Sequence, residues 1–133
     1  MLELALHEEK EEGILQKEIS ENQAVSVKYL DHIIADLKAA GLVANVGGKK
    51  SGYRLNRPAA EISILDIYLA FEDDLAIIDC LQAHGHCPRK KTCVLKDYWT
   101  GLNHTIRSSM ESQNLNDLVD KTRKAEDLMG TDG

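Results

Sequence analysis

Cys80, Cys87 and Cys93 are the only cysteines of the chain, and they fall within fourteen residues in the order C-x6-C-x5-C. His84, Gly85, His86 and Pro88 interrupt them, so the stretch reads as an irregular loop on which thiolates converge. Converging thiolates are ligands for a metal ion or an iron–sulfur cluster. An intramolecular disulfide would leave one thiol over. The start MLELALHEEKEEG lacks the basic segment and apolar run of a secretory signal, and no stretch approaches the roughly eighteen apolar residues of a membrane span. The expected location is the cytoplasm, where clustered cysteines serve as metal ligands or redox centres more often than as bridges. Other readings stay open at this point. Zinc could be held by the three cysteines with His84 or His86, the thiols could act directly in redox chemistry, or they could be idle.

Catalysis has little support elsewhere. There is no Gly-rich phosphate loop and no nucleophile–base pairing, Asp73-Asp74 reads as an acidic helix end, and His104 reads as a surface or interface residue of a helix. The chain is expected not to be an enzyme.

The 133 residues suffice for one ordinary domain, or a small head with an appended arm. One Trp, one Phe and four Tyr leave a modest core of Leu, Ile, Val and Ala, a composition that favours completing burial by oligomerisation. The net charge of −6 hides an asymmetry: residues 24–57 carry Lys28, Lys38, Lys49, Lys50, Arg54 and Arg57 against only Asp31 and Asp36. An acidic body with one basic face is compatible with a site-specific DNA binder.

The elements that must position these groups follow from spacing. MLELAL is an apolar helical fragment, and Ile14, Leu15 and Ile19 share a helical face over residues 14–23, with Ala24-Val25 as a tight connection. Ser26 is an N-cap signal for a second helix on which Leu30, Ile33, Ile34 and Leu37 recur with helical spacing until Gly41 ends it. LVANV and GYRLN around a Gly- and Lys-rich turn form a hairpin signal. Helix, turn, helix and basic hairpin in that order predict a winged helix-turn-helix, with the second helix in the major groove and the wing on the adjacent backbone or minor groove. Ser26, Lys28, Tyr29 and His32 would then face base edges, with Lys49 and Lys50 on phosphates and Tyr53 and Arg54 on the DNA-facing wing. Ser63 with Asp66 starts an apolar helix over residues 63–73. Leu95, Tyr98, Trp99, Leu102, Ile106 and Met110 form one stripe of a long helix, a candidate dimer interface or, equally, a face buried in the chain's own core. NLNDLV is read as a short helix and the following polar residues as a frayed tail.

KEISENQAVSVKYLDHIIADLKAAGLV, NVGGKKSGYRLNRPAAEISILDIYLAFE, the three cysteines and NLNDLV together resemble the Rrf-two family of bacterial winged helix-turn-helix transcriptional regulators. The resemblance reaches about Val119. It implies a mainly α fold with a small β-hairpin wing and a long dimerisation helix. It also implies a homodimer whose heads read a palindromic operator in double-stranded DNA, and a 2Fe–2S or 4Fe–4S cluster on Cys80, Cys87 and Cys93. The implied organisation is a winged DNA-binding region over 1–58 with a truncated first helix, a connecting helix over 59–78 and a cluster-binding loop over 79–93. A dimerisation helix with a short following helix (94–120) and a flexible tail (121–133) complete it. Lys96 stands where some relatives place a histidine ligand, which leaves the fourth ligand to His84, His86 or, from a partner chain, His7. Gly47 stands where many relatives carry a wing arginine. The implied function is a repressor that senses iron–sulfur status, nitric oxide or redox state. The alternative is a zinc-stabilised or cofactor-free dimer controlled by a partner protein or by thiol oxidation.

Overall fold

The computed structural model describes residues 1–48, 52–82 and 84–130. Their order is α1 (Leu2–Leu6), α2 (Gln16–Gln23), α3 (Val27–Ala39), β1 (Val43–Asn45), β2 (Tyr53–Leu55), α4 (Ile64–Leu69), α5 (Leu95–Ser112) and α6 (Leu115–Gly130). Single 3-10 turns lie at Ala59–Glu61 and Asp79–Leu81. This is the mainly helical, winged architecture expected from the sequence.

Caps decide where the head's helices begin and end. Ser26 has extended backbone, and its hydroxyl accepts the Tyr29 N–H at 3.1 Å, satisfying one of the donors that a helix start leaves free. At the other end Gly41 takes φ +74°. The Leu42 N–H then reaches the Leu37 carbonyl and the Gly41 N–H that of Lys38, each at 3.0 Å, the paired closure that a left-handed residue permits. Ala24 closes α2 in the same way at φ 53°, in a conformation unfavourable for a residue with a Cβ. β1 and β2 pair antiparallel with Val43 opposite Leu55, Ala44 opposite Arg54 and Asn45 opposite Tyr53.

Three expectations are corrected. Ile14 and Leu15 do not belong to α2: Ile14 forms an isolated bridge with Tyr53, exchanging N–H···O bonds of 2.9 and 2.8 Å. Ile14 is buried through this β pairing, so its helical spacing to Ile19 was coincidental. The helix from Ser63 stops at Leu69 rather than running to residue 73; Glu72, Asp73 and Asp74 would place three carboxylates at the negative end of its dipole. The final helix is neither short nor followed by a tail from residue 121, because α6 continues to Gly130. Lys, Arg, Ala, Glu, Leu and Met, which fill most of its second half, are strong helix formers, so polarity there does not mean fraying.

Leu4, Ala5, Ile14, Ile19, Leu30, Ile34, Leu37, Leu42, Val43, Ala59, Ile62, Leu115 and Val119 make one core. It lies in the head, and α6 returns to close it through Leu115 and Val119. The starts of α4 and α6 are joined: Ser63 bridges Asn114, the Ile64 N–H donates to the Gln113 carbonyl, and the Leu115 N–H donates to the Ile62 carbonyl. Each start also carries a reciprocal cap, Ser63 with Asp66 and Asn114 with Asp117.

Candidate functional site

Leu30, Ile34 and Leu37 pin one face of α3 into the core, leaving Ser26, Lys28, Tyr29 and His32 exposed together on the opposite side of its first turns. These four line one shallow depression of about 240 Å³. The sequence did not single out the residue that ties α2 to this helix. Gln16, at the start of α2, donates through Nε2 to the Val27 carbonyl at 3.2 Å and to the Asp31 carboxylate. A Gln separated by 15 residues from its partner leaves no local signal.

The wing side chains divide between two faces, as alternate strand residues must. Arg54 is exposed. Tyr53 is half-buried against the core, with Lys38 Nζ over its ring at 5.9 Å from the centroid and its hydroxyl directed at Gln16 Oε1 at 3.5 Å. Tyr53 therefore ties the wing to α2 and α3. Lys49 and Lys50, expected at the wing tip, lie outside the described residues.

Cys80 sits in the 3-10 turn Asp79–Leu81, and Cys93 stands two residues before α5, where its carbonyl accepts the Lys96 N–H at 3.3 Å. Between them the Cys87 carbonyl accepts the Lys90 N–H at 3.1 Å. The three thiols are free and half-buried, and together with Lys90 and Lys96 they line one cavity of about 20 Å³, room for about one water. Gly85 makes this closure possible: a Cβ there would collide with the Asp79 carbonyl and crowd the Cys80 Cα at 3.1 Å. His84 is elsewhere, in a separate cleft of about 400 Å³ with Glu72, Asp73, Asp74 and Gln82, and His86 is exposed. His7 Nδ1 lies 3.0 Å from the Glu3 carbonyl, which accepts from it. Among the described residues no three His, Cys, Asp or Glu side chains are grouped so as to hold a single metal ion. The donor set is of the type that iron–sulfur clusters take, and the two lysines would offset thiolate charge.

From this loop the chain enters α5, which buries no residue. Val94, Leu95 and Tyr98 are 88%, 58% and 64% exposed, with Leu102 beyond them at 37%. Trp99 meets Tyr98 edge to face at 5.3 Å. No helix among the described residues is long and apolar enough to cross a membrane.

Comparison with known proteins gives a consistent result. Residues 1–121 match the Rrf2 family, described as iron-dependent transcriptional regulators. The HTH-type transcriptional regulator IscR of Vibrio vulnificus is 34% identical over 119 residues, covering 90% of this chain and 70% of the relative. Among solved structures, IscR of T. potens superposes with a TM-score of 0.74 at 30% identity, covering 93% of this chain and 80% of that one. CymR, the global cysteine regulator of B. subtilis, gives 0.71 at 25% identity, covering 90% and 87%. The family and these relatives are regulators, not enzymes. With its winged fold and a match across nearly its full length, this chain belongs to the Rrf2 family of DNA-binding transcriptional regulators.

Proposed function

We propose that the chain is a homodimeric repressor that reads iron–sulfur status, nitric oxide or redox state through Cys80, Cys87 and Cys93 and transmits it to a palindromic operator. The observation that carries the reading is the placement of three thiols around one cavity with Lys90 and Lys96, on a loop that leads directly into α5. Ser26, Lys28, Tyr29 and His32 would meet base edges, while Arg54, Lys49 and Lys50 neutralise phosphates and Tyr53 holds the wing. The exposed face of α5 would pair with the same face of a second copy. Residues 1–58, 79–93 and 94–120 then serve as DNA-reading, sensing and dimerising regions.

A bound cluster would supply a group whose oxidation or loss changes the charge and size of what the thiols enclose. The chain's own residues do the rest. A cavity of about 20 Å³ must widen for the thiols to enclose anything larger than a water. Widening moves Cys80 relative to Cys93 and so relative to α5. A Cys3His zinc site has less support, because His84 belongs to the acidic cleft and His86 is exposed.

Protein purified without oxygen is expected to contain iron and acid-labile sulfide in stoichiometric amounts, lost when the three cysteines are replaced by alanine. Zinc without sulfide would overturn the cluster. Equal operator affinity of the Cys80→Ala variant with and without iron, alongside a responsive parent, would support the switch, whereas an unresponsive parent would refute it.

A further inference from the structure

We propose that Asn103, on the long helix, is the positioning residue that couples the cysteine loop to α5; this rests on the sensing role assigned above. Its side-chain amide holds the segment just upstream of Cys80 by two bonds. Nδ2 donates to the Leu75 carbonyl at 2.9 Å, and Oδ1 accepts the Ile77 N–H at 2.9 Å. A neighbouring β-strand would offer this pair of bonds, yet here a single side chain supplies them to a segment with no regular secondary structure.

The consequence is topological. The loop's downstream end, Cys93, runs into the first turn of α5, and its upstream stem is fastened by Asn103 two turns further along the same helix. Leu75 is buried beside the grip, so the stem cannot slide without giving up both bonds. The loop is therefore closed on α5 at two points. A widening of the thiol cavity that displaces the stem upstream of Cys80 must either break the Asn103 bonds or turn α5 with it. The Thr105 hydroxyl returns to the Gly101 carbonyl of its own helix and takes no part in this grip.

The test uses full-length protein and two variants, Asn103→Leu, which removes both bonds, and Asn103→Asp, which keeps an acceptor for the Ile77 N–H and loses the donor to Leu75. Alkylation by iodoacetamide of metal-free protein, followed residue by residue by mass spectrometry, reads the clamp without any cofactor. Operator affinity before and after anaerobic iron and sulfide reconstitution reads the coupling. The expected result is several-fold faster modification of Cys80 with Cys93 unchanged. It should come with collapse of the reconstitution-dependent affinity ratio toward one from a parental value of roughly 5–150-fold. Asn103→Asp should fall between parent and Asn103→Leu in both readouts, which keeps the test decisive if the leucine variant does not fold. Parental alkylation rates at all three cysteines would overturn the clamp. Faster Cys80 modification with the parental affinity ratio retained would overturn the coupling. A parental ratio of one would overturn the sensing role and the coupling with it, while the alkylation arm would still decide whether Asn103 positions the loop.

Discussion

α3 and α5 are both amphipathic, yet they meet opposite fates. The thirteen residues of α3 bury Leu30, Ile34 and Leu37, whereas the eighteen of α5 bury none. The same pattern of spacing therefore has two physical outcomes, depending on whether the chain folds something back over it. The head closes its own core with α1, the wing and α6, while no such cover is provided for Val94, Leu95 and Tyr98. A helix face of this kind gains stability when another surface removes it from water, and a second copy of the same face is the economical source.

The comparison can be broken most severely at α5. Replacing Leu102 and Ile106 together by glutamate should shift the proposed dimer to monomer in analytical ultracentrifugation. Leu102, 37% exposed, and Ile106, half-buried, lose the burial that remains to them, at most about 1.5 kcal/mol each, and gain charges. The head should retain its helical circular dichroism. A dimer that survives these changes would place the seam elsewhere. Next in size is a change inside the head: Leu115→Ala, at a position 1% exposed, should lower unfolding free energy by about 2–5 kcal/mol in urea titration without altering oligomeric state. A smaller cost would mean that α6 closes the core only loosely. Smallest is Ser26→Ala, which removes the acceptor for the Tyr29 N–H. It should cost about 1 kcal/mol and weaken operator binding through a frayed first turn of α3, leaving the dimer unchanged.

The helices with caps and self-contained cores were readable in the sequence because their signals are local. Ser26, the Leu30–Leu37 spacing and Gly41 state the bounds of α3 within a few residues. The three cysteines are close in sequence, and they line one small cavity. What escaped was governed by partners far along the chain. Ile14 looked helical until Tyr53 claimed it for a β bridge. Gln16 and Asn103 carry no signal of their own, since an amide in a helix is unremarkable until its partner arrives 15 or 26 residues away. The second half of α6 was misread because polarity was weighed above helix propensity.

The joined starts of α4 and α6 have a dynamic meaning. Opening either helix start removes the partner of the other, because Ile64 and Leu115 donate to backbone carbonyls on opposite sides of the Ser63–Asn114 bridge. Their amides should therefore exchange with solvent deuterium together, in a single cooperative event. That event sets a floor under the head, because Leu115 and the core around it cannot be exposed until both starts have opened together.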